Sequence, residues 1–178
     1  MSADLTGKRV LVLGAETEVG RAVTAAVAEA GADVALVAAT SDAEAAFAVQ
    51  RLARRLSTGE RRVISQAIDA TNETAVRVMM RQVSKAVGGL DGVVLCLDLG
   101  DGTPKALDVA SASASKELQR RGDGALVWVW PTWIHERKDL DWPSLSGREV
   151  GVIVTRAGEL EHVPRGVVSA LADALATG

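Results

Sequence analysis

Tyrosine is missing altogether from these 178 residues, phenylalanine and cysteine occur once each, histidine twice and proline four times. A lone cysteine, Cys96, excludes an internal disulfide and makes a cytoplasmic address the expectation. With His135 and His162 as the only histidines, no zinc-ligand spacing arises, so no metal site is expected. Asp98 and Asp101 read as an ordinary solvated acidic turn rather than a cation site. No apolar run approaches the ~18 residues of a membrane span, since 34–39 and 125–130 both stop at six. The amino-terminal stretch is not expected to be a secretory leader, because Gly14 to Glu18 interrupts its apolar residues. Positive charge is in deficit too: 20 Lys and Arg against 23 Asp and Glu leave a net charge of -3, which argues against a nucleic-acid binder. Neither a Gly-x-Ser-x-Gly elbow nor a phosphate loop ending Gly-Lys-Ser/Thr occurs.

What remains is the composition of a globular protein, 48% hydrophobic and 24% charged, at about one domain's length, so 1–178 is expected to form one domain. Short β-branched runs alternate with longer segments of helical period, the mark of a parallel sheet covered by helices. Strands are expected at 8–13, 33–39, 61–68, 90–97, 124–130 and 148–155. Helices are expected between them, the first with Val19, Val23, Val27 and Ala30 inward and the second capped by Ser41 or Asp42. The third opens at Thr71 or Asn72, buries Val76, Met80, Val83 and Val87, and turns Glu73, Arg77, Arg81 and Lys85 to solvent. A fourth at 105–121 carries the small residues Ala110, Ser111, Ala114 and Ser115, a surface that another helix can approach closely. The last spans 164–175, with Pro164 near its first turn. With right-handed crossovers this gives a three-layer, doubly wound α/β Rossmann-like sheet of order 3-2-1-4-5-6, with any ligand beyond the carboxyl ends of strands one and four.

Four stretches carry a family resemblance: Leu5 to Val12, the turn Gly14-Ala15-Glu16-Thr17-Glu18-Val19-Gly20, Asp69 followed by Thr71, and Gly147-Arg148-Glu149-Val150. Together they resemble the short-chain dehydrogenase/reductase family, whose turn reads Gly-Ala-x-x-Gly-Ile-Gly. The resemblance implies an NAD(P) site formed by Gly14, Ala15, Thr17, Glu18, Val19, Gly20, Ala39, Thr40, Asp69, Ala70, Leu97 and Asp98, with Asp69 beside the adenine.

The departures fall on functional positions. Glu18 stands where the family's middle glycine lets backbone amides approach the pyrophosphate. A carboxylate facing a phosphate at ~5 Å and an effective dielectric of ~20 costs on the order of 3 kcal/mol unless it turns outward to solvent. Alternatively Glu16 and Glu18 merely favour the positive start of the helix. Strand two ends in Ala38-Ala39-Thr40-Ser41, so no charge selects NAD or NADP, and binding of either is expected to be weak or absent. Leu95-Cys96-Leu97-Asp98 replaces the family's Asn-Asn-Ala-Gly, and Cys96 reads as a small core residue. The resemblance further implies carbonyl reduction through a serine, a tyrosine and a lysine, but this chain has no tyrosine. Only about 17 residues, 131–147, separate strands five and six, and they include Pro131 and Pro143. The helix that would carry the tyrosine and lysine has no room, which suggests a divergent, truncated member. Thr132, His135 and Lys138 are the nearby groups left to move a proton.

Four of the five aromatics, Trp128, Trp130, Trp133 and Trp142, lie within fifteen residues. Either Trp133 and Trp142 fold back as a lid over Trp128 and Trp130, or the cluster is a protein interface. The expected function is that of a degenerate, non-catalytic family member acting as a homo-oligomer or as partner of a full-length paralogue, with no membrane or nucleic-acid role. The alternatives are an NAD(P)-dependent oxidoreductase using atypical groups and a nucleotide- or metabolite-sensing module.

Overall fold

The run Arg-Val-Leu-Val-Leu forms strand β1 (Arg9–Leu13), buried from Val10 onward because a parallel strand is covered on both faces. The computed structural model describes residues 3–120, 122, 124–143, 152–156 and 162–176, with the backbone alone for His135 and 152–156. Strands β2 (Asp33–Ala38), β3 (Val63–Ala67), β4 (Gly92–Leu95), β5 (Ala125–Trp130) and β6 (Val152–Arg156) join β1 in one sheet of order 3-2-1-4-5-6. Every pairing is parallel, with Leu13 level with Val37 of β2 and Leu95 of β4. The expected order therefore holds. The expected start of strand six at Arg148, and the Gly147 to Val150 motif with it, lie outside the described residues.

Alternation along the strands divides the core in two. Val10, Val12, Leu36, Val94 and Val127 face helices α1 (Glu18–Glu29), α2 (Ala43–Leu56) and α5 (Val163–Ala176). Leu11, Leu13, Val93, Leu95, Leu126 and Trp128 face α3 (Glu73–Val87) and α4 (Thr103–Gln119). Caps set the helix starts: Thr17, Asp42 and Asn72 each accept a backbone N–H of the first turn. Gly88 ends α3 in the left-handed conformation that a side chain disfavours. Arg77, Arg81 and Lys85 are exposed, as the charge row predicts, and Arg81 lies 3.8 Å from Glu117 of α4.

The small-residue stripe of α4 has a different use from the one its composition suggests. Ala110, Ser111, Ala114 and Ser115 are all buried within the chain, where α4 packs on α3 and the sheet, and are not exposed to a second copy. They leave room for the Trp128 indole, whose Nε1 donates to Ser111 Oγ at 2.8 Å. Trp128 is fully buried, which corrects its expected place at an interface: its bulk is needed under α4.

Candidate functional site

Beyond the ends of β1 and β4 the chain makes the sharp turn that the glycines predict. Gly14 has φ +92°, and a Cβ there would overlap the Cys96 carbonyl oxygen; a Cβ on Gly20 would overlap the Gly14 carbonyl. Both glycines are thus required for the turn to pack against β4 and α1, whatever it binds. Thr17 closes the turn by donating to Gly14 O at 2.8 Å and accepting from Gly20 N at 2.9 Å. Ala15 is buried and Val19 half-buried. Glu18, first residue of α1, is exposed. Its charge thus stands in solvent, where screening weakens its action on an anion.

Glu16 behaves otherwise. It precedes the helix cap, and its carboxylate reaches across to the end of β2, where Oε1 lies 2.7 Å and Oε2 3.3 Å from Ala39 N. The helix-start account of Glu16 is therefore corrected. Burial pushes its carboxyl above the ordinary range, against the opposing pull of hydrogen bonds from Ala39 and from its own backbone and of the Arg21 charge. Sequence reasoning missed this reach. The one available signal was an acid in the turn combined with none at the end of β2.

Along the same edge Ala39 is buried and Thr40 half-buried. Ala70 N donates to Ala39 O at 3.0 Å, which fastens the turn after β3 to β2. Asp69 is exposed and accepts from Thr71 Oγ1 at 2.6 Å and Thr71 N at 3.0 Å. The hydroxyl bond first, and the backbone bond second, hold its carboxyl below the ordinary value. Gly14, Glu16, Ala39 and the Asp69 turn thus lie along one continuous edge.

The ends of β4 and β5 present a different picture. Thr17, Val19, Cys96, Leu97, Asp98, Val129, Pro131 and Thr132 line a cleft of about 80 Å³. That is well below the ~300 Å³ of a small ligand pocket. Burial first and the Glu16 charge second push the Cys96 thiol far above its ordinary value, leaving no thiolate nucleophile at neutral pH. Asp98 accepts from Trp133 Nε1 at 2.9 Å. Arg137 pairs with Asp139 through two bonds of 2.9 Å and reaches Asp101 with Nη1 at 2.5 Å. Its carbonyl accepts from Trp142 Nε1 at 3.3 Å.

These contacts fold the segment after β5 back over the strand ends. Ring centroids lie 5.8 Å apart for Trp128 and Trp130, 5.1 Å for Trp130 and Trp142, and 5.6 Å for Trp133 and Trp142. Trp130, Trp133 and Trp142 are half-buried, and Trp130 Nε1 is buried with no acceptor among the described residues. Of the three proton-moving candidates, Thr132 lines the cleft, Lys138 is exposed, and the side chain of His135 lies outside the described residues. No group of three His, Cys, Asp or Glu suited to a metal occurs among the described residues. No described helix is long and apolar enough to cross a membrane. A wider groove of about 750 Å³ runs along α3 and α4, on the flank of the sheet and apart from this edge.

Comparison with known proteins agrees with this geometry. The family model for short chain dehydrogenases matches residues 8–120. A short-chain type dehydrogenase/reductase from Mycobacterium marinum is 27% identical, with a TM-score of 0.63 over 74% of this chain and 59% of that one. A short chain dehydrogenase from Burkholderia cenocepacia J2315, solved in complex with NADP, is 32% identical, with a TM-score of 0.60 over 72% of this chain and 57% of that one. One from Mycobacterium smegmatis, 18% identical, shares the fold over 97% of this chain and 90% of its own, with a TM-score of 0.73. The chain thus spans a little over half the length of several of its solved relatives and nearly all of another. No curated protein matches it. The chain belongs to the short-chain dehydrogenase family.

Proposed function

We propose that this family member does not carry out the usual carbonyl reduction and instead serves as an oligomeric or partner subunit that holds dinucleotide weakly. The observation that carries the reading is the state of the β4 and β5 ends. General acid catalysis needs a donor within hydrogen-bond reach of the carbonyl oxygen. Here the chain has no tyrosine, and the segment after β5 carries Trp133 and Trp142, whose ring centroids lie 5.6 Å apart. The cleft beside Asp98 is small, about 80 Å³, and Asp98 itself is engaged by Trp133 Nε1, which disfavours a nicotinamide ring there. The nucleoside end is compatible with a ligand, since the Gly14 turn is tight and Glu18 points its charge into solvent. Weak binding through that end alone is the expected result.

A second reading, an NAD(P)-dependent oxidoreductase with atypical groups, is favoured by one observation: the Thr132 side chain lines the cleft beside Asp98. A threonine hydroxyl is a poor acid without a partner that lowers its pKa, so this reading ranks second. The two separate cleanly. Purified chain, freed of host reductases, is mixed with NADH or NADPH and a panel of ketones, and absorbance of the reduced nicotinamide is followed. No loss above a protein-free control is expected; oxidation matching ketone consumption, abolished by Thr132→Val, would establish the second reading.

A further inference from the structure

The end of β2 has a carboxylate beside it although β2 contributes none. Its residues there are Ala38, Ala39, Thr40 and Ser41, yet Glu16 of the β1–α1 turn sets both carboxylate oxygens within 3.3 Å of Ala39 N. The contact satisfies the backbone N–H of buried Ala39, but a neutral acceptor would do the same without the cost of a charge. Burying a carboxylate without a cation works against folding. Among the described residues Glu16 makes no ion pair, and the Arg21 guanidinium spends its Nη1 on the Glu16 carbonyl, at 2.9 Å, rather than on the carboxylate. A group kept at a cost to stability is a candidate for ligand contact. An ionised carboxylate offers about four acceptor positions, and the backbone amides of Ala39 and of Glu16 itself are its only hydrogen-bond donors identified among the described residues. Capacity for two further donors remains.

In doubly wound nucleotide sites the acidic residue that accepts the ribose hydroxyls belongs to the end of β2 itself. We propose that in this chain Glu16 supplies that carboxylate from the preceding turn. The edge formed by Gly14, Glu16, Ala39 and Asp69 then takes an adenine nucleotide with a free 2′,3′-diol and rejects one carrying a 2′-phosphate. Two donated hydroxyl bonds satisfy the carboxylate's spare acceptor positions, whereas a phosphate in the same place sets like charges together in a partly desolvated site. The inference rests on the reading above only in placing the nucleotide at this edge.

The test uses the whole chain and three probes that differ at one position: AMP, 2′-deoxy-AMP and adenosine 2′,5′-bisphosphate. Binding is followed by amide chemical shifts, with the Ala39 N–H as the local reporter. AMP is expected to shift Ala39 and to bind about tenfold more tightly than 2′-deoxy-AMP, the usual effect of one hydrogen bond to a charged acceptor. Discrimination against the bisphosphate is expected to reach about a hundredfold. Glu16→Gln, which keeps an acceptor for Ala39, should bring the three probes within a few-fold of one another. If Glu16→Ala tightens AMP and the bisphosphate alike, Glu16 is a plug rather than a ligand contact, and the proposal falls. It falls equally if AMP leaves Ala39 unmoved at millimolar concentration. No nicotinamide and no ketone enter this experiment, so its outcome is independent of whether the chain catalyses.

Discussion

The edge at β1, β2 and β3 and the edge at β4 and β5 solve opposite problems on the same sheet. At the first, backbone approaches backbone: Gly14 and Gly20 admit no Cβ, Thr17 both donates and accepts, and Ala39 and Ala70 are tied by a main-chain bond. At the second, side chains fill space, with three half-buried indoles in sequence and both acidic residues of the turn occupied, Asp98 by Trp133 and Asp101 by Arg137. Polar satisfaction differs accordingly. At the second edge Trp130 Nε1, on the last residue of β5, is buried without a partner among the described residues. Buried orphans cost ~1–3 kcal/mol each, so the second edge trades hydrogen bonding for apolar area, of which an aromatic side chain buries ~150–250 Å². A doubly wound sheet must be covered on both faces, and at its first edge that cover depends on the close backbone approach at Gly14 and Gly20. The second can be rebuilt from bulky side chains.

The most severe way to break this comparison is at Trp128, the residue that joins the aromatic region to the common core. Trp128→Ala should cost ~3–5 kcal/mol in urea unfolding, as aromatic truncations in a core do. It removes a fully buried indole and also strips Ser111 of its donor. A cost similar to that of Leu11→Ala, on the same face of the sheet, would place the two edges in one cooperative unit. A separate early transition would show the aromatic region unfolding by itself.

How far the sequence disclosed this arrangement follows from the range of the interactions. Strand order was legible because alternating patterns and crossover handedness are local or general. The glycine turn was legible because Gly14 and Gly20 have a stereochemical requirement that chain spacing alone exposes. Glu16 was not, since its partner is the backbone of Ala39, 23 residues away, and any residue supplies an N–H. The purpose of the α4 stripe was hidden for a related reason: Ala110, Ser111 and Ala114 look alike whether they meet a second helix or an indole of the same chain. The tryptophan cluster was visible as a concentration, and the folding back of Trp133 and Trp142 became evident only once Asp98 and the Arg137 carbonyl were seen to hold their Nε1 groups.

A smaller effect tests whether those two indoles act as cover or as contact surface. Trp133→Phe keeps the ring stacking and removes only the bond to Asp98, so the expected cost is about 1 kcal/mol, a few degrees in melting temperature. Tryptic cleavage at Lys138, exposed in the same segment, should accelerate several-fold while the rest of the chain stays resistant. Trp133→Ser combined with Trp142→Ser sharpens the point in sedimentation. A shift toward smaller species with unchanged unfolding assigns these residues to an interface. Loss of stability at constant mass assigns them to cover alone.

The smallest expected effect lies at the first edge, where Glu16 is the one polar group whose burial opposes the fold. Its carboxyl titrates above its ordinary value of 4.5 chiefly because burial disfavours the charge. Between those two pH values the folded chain binds more protons than the unfolded chain, so stability falls as pH rises through that window and the full penalty is present above it. Glu16→Gln removes the charge and keeps an oxygen for Ala39. At neutral pH it should therefore stabilise the chain, by at most about 1 kcal/mol once solvent screening of a half-exposed group is allowed for. Below pH 4.5, where both states of the wild type are protonated, the difference should vanish. Unfolding midpoints of the two proteins across that range decide the matter. A wild type more stable than Glu16→Gln at neutral pH would mean that the Ala39 bond outweighs desolvation, and the first edge would then hold Glu16 for its own stability rather than for a ligand.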